Sequence, residues 1–157
     1  MKKYKLNKYK SLTPKLKEII VGLLLGDLHL NINKNGTCYL KFEQGEIHYE
    51  YLMHLYKLFN VYVNTPPKYK IRGYNNKNKP IINWYFNTTT VEAFKELKIF
   101  YNDKKKILPE NIEELLTEKG LAYWIMDDGY KFRKGIYIST DSFKKRRIII
   151  IKRSIKK

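Results

Sequence analysis

Cysteine occurs once, at Cys38, so no disulfide and no cysteine-based zinc site can form within one chain. No run of about 20 apolar residues is present, which excludes a membrane-spanning helix. Acidic residues are scarce, 15 against 32 basic ones, and the net charge of +17 on 157 residues selects polyanions as partners. Nucleic acid leads. An anionic membrane surface is the weaker candidate, because no long basic amphipathic helix stands out. With 43% hydrophobic and 30% charged residues, the composition is that of a globular chain rather than a disordered one. Residues Met1–Lys10 are basic and lack the apolar core of a secretory signal, so they read as a phosphate-touching arm or a solvated tail.

Alanine occurs only at Ala93 and Ala122, Lys outnumbers Arg 27 to 5, and Lys, Asn, Ile and Tyr supply 72 residues. The favoured residues have AT-rich codons. An AT-rich genome is implied, an organelle being one source and a bacterium or phage another.

The chain then alternates helices and hairpins. Thr13-Pro14 reads as N-cap and first helical position, and the following helix is apolar on all sides from Ile19 to Leu25, which predicts burial. Gly22 and Gly26 stand one turn apart and predict close approach of another backbone, since glycine otherwise weakens a helix by about 1 kcal/mol. Ala122 and Ile125 are the expected partners. A hairpin follows, with Leu28, Leu30 and Ile32 alternating with polar residues, a type I′ turn expected at Asn35-Gly36, and Cys38, Leu40 and Phe42 returning. Leu52, Leu55, Tyr56 and Phe59 mark a second helix. A second hairpin spans Lys68 to Asn87, and Val91, Phe94, Leu97 and Phe100 mark a third helix. The order αββαββα predicts an α+β domain with helices on one sheet face, here residues 1–110.

After Lys106 and Pro109 the pattern restarts. Leu116-Thr117 echoes Leu12-Thr13, and the apolar stretch from Leu121 again ends in acid, at Asp127-Asp128-Gly129. This is an internal repeat offset by about 100 residues. Residues 111–157 read as the start of a second, incomplete copy, because only 29 residues follow Asp128.

Asp27 and Asp128 occupy matching helix ends. A carboxylate there opposes the helix dipole at a cost of about 0.3–1 kcal/mol when exposed; a divalent cation shared by two of them reverses the sign. Hard oxygen donors suit Mg²⁺, which takes one or two carboxylates plus phosphate oxygens. Gly26 and Asp127, the preceding residues, are further candidate metal contacts, Asp127 through its carbonyl or its side chain.

The strings Ile20-Val21-Gly22-Leu23-Leu24-Leu25-Gly26-Asp27-Leu28 and Leu121-Ala122-Tyr123-Trp124-Ile125-Met126-Asp127-Asp128-Gly129 resemble the paired motifs of the LAGLIDADG homing endonucleases, in the single-chain form encoded in organelle introns. The resemblance covers about residues 12–143, with Leu28 replacing the first motif's terminal glycine. It implies two motif helices packed side by side between two αββαββα domains, catalytic metals on Asp27 and Asp128, and staggered cuts across the minor groove. It also implies an active-site lysine, for which Lys106 upstream of Pro109 is the match, and a mitochondrial origin, with a plastid as alternative. Intron maturases, RNA-binding splicing helpers on the same fold, are the alternative reading, with intron RNA as partner; a non-cleaving DNA-binding relic is a third.

The strand positions facing away from the apolar side carry Asn31, Asn33, Tyr39, Lys41, Lys68, Lys70, Arg72, Asn83, Tyr85 and Asn87. A two-stranded ribbon fits the major groove of double-stranded DNA, where Lys and Arg read guanine or hold phosphate and Asn pairs with adenine. Beyond Phe143, eight of the last 14 residues are basic and Ile148 to Ile151 are consecutive, which does not resemble the amphipathic helix expected there. A frameshift or a fragmentary reading frame is the expectation for this tail. The missing half-domain argues against full activity, and the chain is expected either as a monomer or paired with another chain that replaces that half.

Overall fold

A computed structural model describes residues 11–133 and 135–140; the basic N-terminal stretch and the basic, isoleucine-rich tail lie outside the described residues. The elements are helix α1 (Pro14–Leu25), strands β1 (His29–Ile32) and β2 (Cys38–Gly45), helix α2 (Tyr49–Phe59), strands β3 (Lys68–Tyr74) and β4 (Pro80–Asn87), a 3-10 helix (Glu92–Phe100), short strands β5 (Tyr101–Asn102) and β6 (Lys105–Lys106), helices α3 (Ile112–Leu115) and α4 (Glu118–Asp128), and strands β7 (Gly129–Phe132) and β8 (Gly135–Ile138). The described residues form two compact units, one built on His29–Lys95 and the other joining Leu12–Leu28 to the described residues from Glu96 onward.

The first unit is an antiparallel sheet in the order β1-β2-β4-β3. Leu30 pairs with Leu40 and Phe42 with Phe86, so period-2 alternation places the apolar side chains on one face, where Leu52, Leu55 and Phe59 of α2 are also buried. Phe42 stacks on Phe86 with ring centroids 4.4 Å apart. Thr88, buried, bonds Leu40 twice: its N–H donates to the Leu40 carbonyl at 3.0 Å and its Oγ1 accepts from the Leu40 N–H at 2.9 Å, which joins the end of β4 to β2.

Both long hairpins close with the same three-residue loop. Gly36 N–H donates to the Asn33 carbonyl and Asn33 N–H to the Thr37 carbonyl, and Asn78 and Asn75 N–H repeat the pattern on Asn75 and Lys79. The residue in the left-handed region is Gly36 (φ 81°) in one and Asn78 (φ 54°) in the other. This is a type I turn followed by a left-handed residue, not the expected type I′ turn, which would need a positive φ at Asn35 as well. Asn35 instead accepts the Thr37 N–H on its side chain at 3.2 Å, an Asx-type bond available to a negative-φ asparagine.

The third helix is also corrected, from α to 3-10. Val91, Phe94, Leu97 and Phe100 recur every third residue, which matches three residues per turn better than 3.6, and all four are buried.

In the second unit, Ile19 through Leu25 are all buried, as the uniformly apolar sequence predicts. Thr13 and Thr117 cap their helices alike, accepting from Leu16 N–H at 3.3 Å and Gly120 N–H at 3.2 Å. The stretch before Pro109 is a folded hairpin: Tyr101 pairs with Lys106 and Asn102 with Lys105, around Asp103 and Lys104, both in the left-handed region. Two such residues define a type I′ turn.

Candidate functional site

Helices α1 and α4 meet backbone to backbone. A Cβ added to Gly22 would lie 1.8 Å from the Gly120 carbonyl oxygen, and one added to Gly26 would lie 2.6 Å from the Asp127 side chain. The expected glycine contact is present, but its partners are Gly120 and Asp127 rather than Ala122 and Ile125; Ala122 is exposed. At the Gly22 contact both helices lack a side chain, so Gly120, two residues before Ala122, takes the position that an alanine methyl would block. Glu18 of α1 reinforces the pairing by accepting from the Thr117 hydroxyl at 2.8 Å.

This contact brings the acidic helix ends together. Asp27 N–H donates to Asp127 Oδ2 at 3.1 Å, so one aspartate of the second motif binds the backbone of the first. Asp128 lies beneath it, its Oδ2 accepting from Trp124 Nε1 at 3.3 Å, with the Trp124 ring fully buried. Burial and then the like charge of Asp27 push the Asp128 carboxyl above its usual range, while the Trp124 N–H and the Lys106 ammonium partly offset them. The β5–β6 hairpin delivers Lys106, whose Nζ donates to the Gly26 carbonyl at 2.6 Å. Burial pulls the Lys106 ammonium below its usual range, against the attraction of Asp27, Asp128 and Asp127. The five residues expected at the reacting centre, Gly26, Asp27, Lys106, Asp127 and Asp128, therefore converge from three segments of one unit. Trp124 and Gly120 were not legible as site residues; the i, i+4 spacing of Trp124 and Asp128 was the signal for the former.

The donor chemistry fits a hard divalent ion. Asp27 and Asp128 crowd like charges, and the Gly26 carbonyl points into the same charged neighbourhood. Among the described residues no group of three or more His, Cys, Asp or Glu side chains is placed to enclose an ion alone, so phosphate or water oxygens would complete the shell, as Mg²⁺ sites usually require.

The other unit carries the candidate recognition face. Strand register places Asn31 beside Tyr39, Lys41 beside Asn87, Tyr85 beside Lys68, and Asn83 beside Lys70. The alternation thus brings nine of the ten expected residues to one sheet face, Arg72 joining through a bulge between Ile71 and Gly73. Asn33 is the exception: it sits at the hairpin loop with its amide on the Thr37 hydroxyl at 2.8 Å. Lys70 Nζ lies 4.8 Å over the Tyr85 ring. A polar cavity of about 370 Å³ opens beside this face, lined in part by Asn64, Thr65, Lys68 and Asn87. Glu43 was missed as a site residue. It sits opposite Tyr85 and binds four of the face's polar side chains.

Comparison with known proteins agrees with this geometry. The chain is 40% identical over 145 residues to a cytochrome b mRNA maturase bI2 of Debaryomyces hansenii, covering 88% of this chain and 54% of that protein. It is 33% identical over 144 residues to a probable intron-encoded endonuclease 1 of Wickerhamomyces canadensis, covering 85% and 61%, and 32% identical over 161 residues to the DNA endonuclease I-ChuI of Chlamydomonas applanata, covering 93% and 73%. The chain therefore spans between half and two thirds of the length of the first two of these relatives. The solved structure of the homing endonuclease I-WcaI bound to its DNA recognition sequence superposes with a TM-score of 0.87 at 28% identity, covering 98% of this chain and 71% of that one. Residues 17–157 match the model of the LAGLIDADG DNA endonuclease family. With both motifs paired and the match spanning most of its length, the chain belongs to the LAGLIDADG DNA endonuclease family.

Proposed function

We propose that this chain is a site-specific DNA endonuclease of the homing type, hydrolysing phosphodiesters with Mg²⁺ as the divalent ion, and that it originates in mitochondria. The observation that carries the reading is the convergence of Asp27 and Asp128 on the glycine-mediated helix contact, with Lys106 reaching the same place. Relatives described as intron-encoded endonucleases support it, as does the DNA-bound homing endonuclease of the same fold.

The Asp27 and Asp128 carboxylates, with the Gly26 carbonyl, would hold the ion, which supplies water activation and charge neutralisation at the leaving oxygen. Asp127 fixes the end of α1 through the Asp27 N–H, which keeps the Asp27 carboxylate at a constant place. Trp124 orients one oxygen of Asp128 and leaves the other for the ion. Lys106 Nζ places a fixed positive charge among three carboxylates, where a scissile phosphate would otherwise be repelled. The sheet face holds the duplex in register.

The test uses duplexes recovered by binding to the wild-type chain from a randomised library. These should be cut with Mg²⁺ and left intact with EDTA, and Asp27→Asn or Asp128→Asn should bind without cutting. Cleavage undiminished in either variant refutes the assignment. The maturase named above, 40% identical to this chain, favours a second reading, an RNA-splicing helper. In that case the double Asn variant would still bind and assist its intron RNA.

A further inference from the structure

The polar sheet face is arranged around an acid. Glu43, in the middle of β2, accepts from Lys70 Nζ at 2.7 Å on Oε2 and from Asn83 Nδ2 at 2.9 Å on Oε1. Arg72 donates to Oε1 through both Nε, at 2.8 Å, and Nη2. Lys41 Nζ lies 3.5 Å from Oε2. The partners come from β2, β3 and β4, and the Glu43 side chain is only 16% exposed. Burial opposes its charge, but the hydrogen bonds of Lys70, Asn83 and Arg72 overcome this and hold its carboxyl at about 2. Glu43 is therefore an anion at every pH at which the protein would work.

A carboxylate in the middle of a surface that must meet a polyanion is costly unless it has a task. Both Glu43 oxygens are engaged by protein donors, so it has little capacity left to accept from cytosine N4. Its neighbours have donors remaining. Arg72 has five N–H groups and commits two of its nitrogens; Lys70 has three and commits one. Asn83 spends an N–H on Glu43 and keeps its carbonyl oxygen. Glu43 also removes the freedom of two long cations to swing toward phosphates, since a paired guanidinium is a fixed fork rather than a mobile charge.

We propose that Glu43 is a specificity-determining positioning residue, which holds Lys70, Arg72 and Asn83 in one fixed array that reads a short run of adjacent base pairs and keeps those cations off the phosphate backbone. The inference rests on the DNA-binding reading above. Without Glu43 the same side chains become ordinary phosphate holders: non-specific affinity rises and discrimination falls at one place in the site, not everywhere.

The experiment compares the full chain with Glu43→Gln and Glu43→Asp. Binding to a duplex of random sequence is measured against salt, and a randomised duplex library is selected and sequenced with each protein. Glu43→Gln should steepen the salt dependence by roughly one to three phosphate contacts, each contributing about 0.9 to the slope of log K against log salt. It should lose sequence preference at a contiguous cluster of two to four base pairs, on the order of one ribbon's reach, while keeping it elsewhere. Glu43→Asp should recover part of that preference. An unchanged slope and an unchanged preference profile overturn the proposal. Loss of preference across the whole site also overturns it, since that would mean Glu43 only holds the sheet together. If the wild-type chain selects no sequence at all, the DNA-binding reading itself fails, which is a distinguishable result.

Discussion

Replacing Gly22 by alanine tests the helix contact on which the whole site depends. The new Cβ would sit 1.8 Å from the Gly120 oxygen, 2.6 Å from its carbonyl carbon and 2.9 Å from its Cα. All three are backbone atoms in a helix and cannot rotate away. Restoring an ordinary carbon–oxygen contact requires the helices to separate by more than about 1 Å, because packed interiors have no slack at this scale. Overpacking of this kind costs about 1–3 kcal/mol or more, offset by about 1 kcal/mol from the better helix propensity of alanine. With three backbone atoms in the way the cost lies at the upper end of that range, so the net loss is about 2 kcal/mol, which corresponds to a melting temperature lower by roughly 4–8 °C in a chain of this size. The same separation moves the Asp27 and Asp128 ends relative to each other, and a misplacement of 1 Å can cost about a hundredfold in rate. Thermal melting followed by circular dichroism, with cleavage assayed well below the transition, measures both. Gly45→Ala is the control, since a Cβ there meets nothing within 4 Å, and it should melt like wild type. If Gly22→Ala melted and cut like Gly45→Ala, the close backbone contact would be wrong.

Asp128→Asn should raise the melting temperature of the metal-free protein while eliminating cleavage, because it removes a half-buried charge that Asp27 repels; a lower melting temperature would show that the carboxylate is needed for folding. Glu43 sets an acid limit. Its folded value of about 2 lies below its ordinary 4.5, so its stabilisation is present above about pH 4.5 and disappears as pH falls toward 2. Glu43→Gln should flatten that part of the acid-unfolding profile, and an unaltered profile would count against the ion-pair cluster. Lys68→Ala should reduce the salt slope of duplex binding by about 0.9, since Lys68 is exposed, and no change would place it away from the backbone. Amides of β7 and β8 should exchange faster than those of α1, because an isolated two-stranded sheet is marginal and Ile136 and Tyr137 are more than half exposed; equal protection would show that other parts of the chain or a second chain cover them.

Local periodicity determined a great deal here. The alternation of apolar and polar residues in β1, β2 and β4 named the buried face and the candidate recognition face together, because side chains on a strand point to opposite sides with no dependence on what lies beyond; in β3 the apolar side is not covered, Tyr69 and Ile71 being more than half exposed. The two acidic helix ends were legible for a similar reason: an apolar helix that stops in a carboxylate, twice, is a pattern within the chain. What period-3 spacing meant was harder. Val91, Phe94, Leu97 and Phe100 were read as marking an α-helix, although their spacing of three fits the 3-10 form that the chain adopts over Glu92–Phe100.

The tertiary structure alone decided the contacts made across the chain. Two glycines on α1 announced that a backbone would come close, but not that its partner was Gly120, because the meeting point depends on the crossing of two helices about 100 residues apart. Lys106, of three consecutive lysines, was singled out only by resemblance, through its place upstream of Pro109; the tight turn with Asp103 and Lys104 in the left-handed region and the bond to the Gly26 carbonyl supplied the physical reason. Glu43 read as one polar position among many in the strand. Its role came from the register of β2, β4 and β3, which brings Lys70, Arg72 and Asn83 to the same carboxylate. Charge patterns in a sequence state how much charge a face carries; the pairing of strands decides which of those charges neutralise each other and which remain for a partner.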